Sequence, residues 1–256
     1  MVAPEVSRRS PWRFFVLVFL LAFPFWIVGA QLRAMLLPGL PIAALMAVCP
    51  GLAAAILIFR ADGGVRAFLM RSLNVGGTSV WLLCAFLLSL DIGGATFAVL
   101  HVAQGQAFAT APPLQFTAMA AAFLVGAWCE ELGWSGYATA PLLARWGALV
   151  AALVIGVVWA AWHFVPLIQA GRDLEWIGWW TLGTVAARFA IVSLYNASGG
   201  SVLVATVFHA TNNLCAFAMT GTYDVRVTSL AQVVLAALLV AFNVKRRVDR
   251  RVPRSR

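Results

Sequence analysis

Eight stretches of this 256-residue chain each hold about twenty mostly apolar residues: 12–31, 41–60, 78–102, 114–138, 147–166, 176–195, 201–220 and 227–244. About twenty is the length a helix needs to cross a bilayer. The pattern predicts an all-α fold, a polytopic membrane bundle of about eight transmembrane helices. Breaks fall at 38–41, 60–71, 111–113, 171–175 and 198–200, where Pro, Gly or charge clusters. The third and fourth runs are the least regular. Apolar residues make up 62% of the chain and charged ones 11%, against about 45–50% and about 25% in soluble domains. So little polar material could not cover a water-facing surface, which excludes a soluble enzyme, a disordered tail and a disulfide-stapled secreted module. Cys49, Cys84, Cys129 and Cys215 each lie in an apolar run without metal-ligand spacing and read as small buried hydrophobes.

The net charge of +9 is an orientation signal rather than a nucleic-acid one. With a cytoplasmic N-terminus, the inside segments hold Arg8, Arg9, Arg13, Arg60, Arg66, Arg71 and Arg145. The tail adds Lys245, Arg246, Arg247, Arg250, Arg251, Arg254 and Arg256. Outside lie Arg33, Arg172 and Arg226, and Arg188 falls within a span. Fourteen against three is the bias expected of an even number of spans with both termini in the cytoplasm. The first run is too long for a signal peptide and reads as a retained helix. The chain divides into N-terminal helices (1–113, about three spans), a core (114–220, about four) and a last span with its basic tail (221–256). Lipid is the expected surrounding, and the abundance of Arg over Lys points to a bacterial cell membrane.

In so apolar a chain, each ionisable residue at membrane depth is a functional candidate, because burying it is costly. Asp91, Glu130, Glu131, His163, Arg188 and His209 meet that test. Glu130 and Glu131 are neighbours, about 100° apart on a helix, so one faces a cavity while the other meets a neighbouring helix. His209 and Asn213 share a face at i and i+4. A hairpin turning near 145–147 brings Glu130 and His163 to similar depth, roughly 24 Å from the turn. His209 reaches that level if the hairpin projects about 10 Å further into the cytoplasm. A carboxylate, two imidazoles and an amide suit hydrolysis of a carbonyl, with water activation, proton transfer and oxyanion stabilisation shared among them. Glu130, His163 and His209 are equally a possible zinc set, and metal-assisted hydrolysis stays open.

The segments Glu130-Glu131 with Gly133-Trp134-Ser135-Gly136-Tyr137, then Trp159-x-x-x-His163, then His209-x-x-x-Asn213, resemble the CPBP family. These are the CAAX-protease and bacteriocin-processing intramembrane proteases, related to type II CAAX prenyl endopeptidases. The resemblance covers about 114–220. It implies an endopeptidase without a metal cofactor, with its site inside the membrane and open towards the cytoplasm. Glu130 would activate water with help from His163, His209 and Asn213 would form the oxyanion hole, and Glu131 would support them. A prenylated CAAX-type protein or a bacteriocin-like peptide would be the substrate. One position departs from the pattern, since Ser135 stands where the family motif has Arg. Either the motif tolerates the change, another cation substitutes, or activity is lost. Arg188 is the candidate substitute, expected to pair with Glu131 unless it snorkels to lipid phosphate.

Two other function classes fit the same residues. A carboxylate–imidazole relay also builds proton-coupled transporters, although no inverted repeat is visible. A catalytically inactive scaffold is the reading that Ser135 supports. Asp91 reads as a helix break beside an aqueous cavity and His101 as an outer-interface residue. Trp128, Trp134, Trp159 and Trp162 are expected to line the site.

Overall fold

The computed structural model describes residues 9–59, 64–106, 111–219 and 221–251, with no side-chain detail for 243–251. Glu5, Arg8, Arg60, Asp62 and the side chains of the basic tail therefore lie outside the described residues. In chain order the elements are α1 (Pro11–Leu32), a small hairpin of β1 (Met35–Leu37) and β2 (Leu40–Pro41), a 3-10 turn (Ile42–Ala47), α2 (Val48–Ile58) and α3 (Gly64–Ser72). Then come α4 (Ser79–Phe97), continued by a π-helical turn (Ala98–Ala103), and α5 (Pro113–Gly133), continued by a second π turn (Trp134–Thr139). The chain ends with α6 (Ala140–Gln169), α7 (Leu174–Ala197), α8 (Val202–Ala218) and α9 (Val225–Arg251).

Among the described residues, five helical runs are long and apolar enough to cross a membrane. One of them, Pro113–Gln169, has 57 residues and folds back on itself. Its hinge is Gly147, at φ 77° and ψ 175°, a conformation that costs a residue with a Cβ far more than glycine. The Trp159 indole lies 2.7 Å from Glu130, 29 positions away; in one straight helix they would stand about 43 Å apart. Shorter apolar helices, Ile42–Ile58 and Val202–Ala218, fill the remaining layers. All eight apolar runs read from the sequence thus fall on helices. The π turns end the two runs that read as least regular.

Local chemistry starts several helices. Ser10 caps α1, accepting from the Arg13 N–H, with Pro11 in the first turn. Asp173 caps α7 through the Trp176 N–H at 2.8 Å, and Ser201 caps α8 through the Val204 N–H. Small residues then let α2 and α5 touch backbone to backbone. A Cβ at Gly133 would lie 2.5 Å from the Pro50 carbonyl oxygen, and one at Gly51 would lie 2.9 Å from that of Cys129. Such close approach is how membrane helices gain packing energy where lipid gives no hydrophobic drive. The principal core joins Phe14, Trp134, Tyr137, Leu142, Ile155 and Trp162.

Asp91 departs from its sequence reading. The helix runs unbroken through it, and its side chain is exposed on α4. His101 sits in the π turn that ends α4, with Nδ1 2.7 Å from the Gln106 carbonyl.

Candidate active site

Glu130 and Glu131 stand in the last turn of α5, where the helix widens into the π turn, a distortion frequent at functional sites. Their side chains diverge as adjacent helix positions must. Glu130 lines a cavity of about 460 Å³ between the 3-10 turn, α5 and α6. Its Oε2 accepts the Trp159 indole N–H at 2.7 Å, which fixes one carboxylate oxygen. Glu131 is completely buried and points to α7 and α8.

Three donors converge on Glu131. Arg188 Nη1 reaches Oε2 at 2.9 Å, Ser135 Oγ donates to the same oxygen, and His209 Nδ1 meets Oε1 at 3.0 Å. Arg188 is itself wholly buried, and its guanidinium lies over the Trp159 ring, 4.1 Å from the centroid. The expected Arg188–Glu131 pair is therefore present, and full burial rules out snorkelling. Gly156 makes the reach feasible: a Cβ there would lie 3.1 Å from the Val185 Cα and 3.3 Å from the Arg188 Cβ. Ser135, at the motif's arginine position, supplies a hydroxyl where the charge comes from another helix.

The two imidazoles are held alike, each donating from Nδ1 to an oxygen. His163 Nδ1 lies 2.9 Å from the Trp159 carbonyl; a carbonyl only accepts, so Nδ1 carries the proton and the neutral ring keeps its lone pair on Nε2. His209 gives its Nδ1 proton to Glu131, leaving Nε2 as its second contact atom. Both rings meet Trp159 edge to face, at centroid distances of 5.6 and 5.0 Å. Glu130, His163 and Asn213 line the larger cavity. All three, with His209, also line a smaller one of about 110 Å³ that reaches Thr184, Asn212 and Gln232. The five residues singled out from the sequence thus form one cluster.

Residues 112–215 match the family described as Type II CAAX prenyl endopeptidase Rce1-like. A protein of Methanococcus maripaludis named CAAX prenyl protease 2 is 25% identical over 272 aligned positions, covering 93% of this chain and 96% of that protein. Over that stretch, less than half of its length, the chain is similar to the CAAX protease family. The matched stretch runs from α5 to α8, on the apolar helices that carry the cluster.

Not every expectation for the site holds. Of the four tryptophans expected at the site, Trp159 lines it. Trp134 and Trp162 are sealed in the core, and Trp128 donates to the Ser72 hydroxyl at 3.1 Å. Trp180, 5.2 Å from the His163 ring, takes a place that the sequence reading missed. Gln232 was missed too; it donates to the Asn212 side chain at 3.2 Å from a helix outside the motif region. Each imidazole bonds an oxygen through Nδ1 and keeps Nε2 as the atom that would face a metal, so these hydrogen bonds do not decide the zinc alternative. Among the described residues, no three His, Cys, Asp or Glu side chains group so as to hold a metal ion. The larger cavity is lined as far as Leu36, Leu40, Ala170 and Arg172.

Proposed function

We infer that this protease hydrolyses a peptide bond at membrane depth by a metal-free mechanism, with Glu130 as the base that activates water. The division of labour between the two glutamates carries this reading: Glu131 is neutralised and locked by three donors, while Glu130 borders the cavity with one oxygen held by Trp159. Water between Glu130 and His163 Nε2 loses a proton to the carboxylate as its oxygen attacks the scissile carbonyl. His209 and Asn213 face the oxyanion that develops. A protonated His209 donates from both nitrogens, one proton to Glu131 and one to the oxyanion. The proton held by Glu130 then passes to the leaving amine, and the C–N bond breaks.

The substrate we assign is a membrane-proximal peptide, either a prenylated CAAX-type C-terminus or a bacteriocin-like peptide. The host membrane is a bacterial cell membrane with both termini of the chain in the cytoplasm. The deciding experiment measures cleavage of prenylated and apolar peptide libraries by detergent-purified protein. Glu130→Gln is expected to lower turnover by about 10²–10⁴-fold, with chelators leaving the wild type unchanged. Full activity in Glu130→Gln, or loss on chelation restored by zinc, overturns the mechanism.

A further inference from the structure

Three polar side chains of α9 share one face, with Thr228 and Gln232 at i and i+4 and Ser229 one place further round. All three are buried, in a helix otherwise as apolar as any span. Polar groups at that depth are costly unless they find partners. Gly183 of α7 makes room for them, since a Cβ there would strike the Gln232 Oε1 and lie 2.6 Å from the Ser229 Oγ. Ser229 donates to the Trp179 carbonyl at 2.7 Å. Gln232 donates to the Asn212 Oδ1 at 3.2 Å, which engages one of the two donors of its amide.

These groups, with Thr184 of α7, wall the smaller cavity of about 110 Å³. The two cavities meet at Glu130, His163 and Asn213, which line both. Their walls differ in character. The larger cavity presents Leu45, Phe123 and Leu167, whereas the smaller presents hydroxyls and amides. A water molecule takes about 30 Å³ in the liquid and needs about two to four polar partners. The smaller cavity has the room for a few waters and the donors and acceptors to hold them. An apolar segment seated in the larger cavity displaces water from that side of Glu130. Hydrolysis consumes one water for each bond cut, and the smaller cavity is a polar space that still borders the carboxylate.

We propose that the space between α7, α8 and α9 is a water site that supplies Glu130 with the hydrolytic water, and that Gln232 is its positioning residue. The supply role rests on the protease reading above; the hydration does not. Gln232 fixes Asn212, and the two amides with the Thr184 hydroxyl hold water beside His209 and Asn213, which line the same cavity. Peptide and water then reach Glu130 by separate spaces, so a bound substrate does not dry the base that must attack it.

Hydration is read by X-ray hydroxyl-radical footprinting of the full chain in detergent, in which water ionised in place oxidises the side chain it touches. Trp159 borders the smaller cavity, while Trp134 and Trp162 are wholly buried in the core and serve as fold controls. Trp159 is expected to be oxidised in the wild type and the two core tryptophans protected. Gln232→Met, which keeps the length without the amide, and Thr184→Val, which removes only a hydroxyl, are expected to lower Trp159 oxidation severalfold with the core still protected. On a cleavable peptide both variants are expected to lose about tenfold or more in kcat with KM little changed. Protection of Trp159 in the wild type equal to that of Trp134 overturns the proposal, as does unchanged turnover in variants whose Trp159 has become protected. Footprinting needs no catalysis, so an inactive protein with the expected labelling counts against the protease reading alone.

Discussion

Arg188 Nη1 lies 2.9 Å from Glu131 Oε2 with both side chains wholly buried. The guanidinium comes from α7, 57 positions after the glutamate, whereas the family motif carries its arginine one turn away on the same helix. Ser135 at that turn donates a neutral hydrogen bond to the same oxygen. The cation beside Glu131 comes from another helix, and the carboxylate's other oxygen orients His209.

Removing Arg188 leaves the buried Glu131 carboxylate with Ser135 and His209 but without its arginine. Arg188→Ala is expected to cost about 3–5 kcal/mol of stability and to abolish cleavage, read by thermal unfolding in detergent and a peptide assay. Arg188→Lys keeps a charge without the flat face that stacks on Trp159, and an intermediate loss is expected. An unchanged melting temperature in Arg188→Ala contradicts the structural role assigned here.

Moving the charge back is a sharper test. Ser135→Arg alone places a second guanidinium in a fully buried position beside Arg188 and is expected to destabilise. Combined with Arg188→Ala, it is expected to be more stable than Arg188→Ala by itself. The double-mutant cycle reports this as coupling between the sites, of about 0.5–3 kcal/mol for residues sharing a partner; additivity speaks against a common partner.

Trp159→Phe keeps most of the ring but deletes the indole N–H that holds Glu130. Hydrogen bonds to charged groups contribute about 1.5–3 kcal/mol. Turnover is expected to fall about tenfold or more with KM little changed, because the loss concerns the orientation of the base. A change confined to KM contradicts that assignment.

Gly133→Ala tests the floor beneath the site. The added methyl would lie 2.5 Å from the Pro50 carbonyl oxygen and 2.7 Å from Phe14, and neither backbone nor packed ring yields cheaply. A loss of about 1–3 kcal/mol is expected, with reduced activity because α5 carries both glutamates. Gly94→Ala, on an open face of α4, is the control expected to match the wild type.

The spans were legible because their apolar length has one physical explanation, and the cluster was legible because ionisable residues in such spans are rare. Even the Arg188–Glu131 pair followed from charge: a missing cation and an unexplained one within the same core. What stayed hidden was local geometry. No composition signal distinguishes the π turn at Trp134–Thr139 from ordinary helix, and the short α3 lies in a segment read as a break. Trp180 and Gln232 were missed for another reason. Each resembles the interface tryptophans or tail-helix polar residues around it, and only the fold turns it towards the cavity.

The dispersion of Glu131's partners along the chain bears on how the protein is made. When α5 leaves the ribosome it carries two carboxylates, and an acidic residue near a helix centre opposes insertion by about 2.5–3.5 kcal/mol. Trp159, which holds Glu130, arrives 29 residues later, so α5 and α6 are suited to enter the bilayer as one hairpin about Gly147. Arg188 and His209 follow at 57 and 78 residues after Glu131. The nascent chain therefore has no complete cluster until α8 has joined, so whatever the cluster does is withheld from every partly synthesised chain.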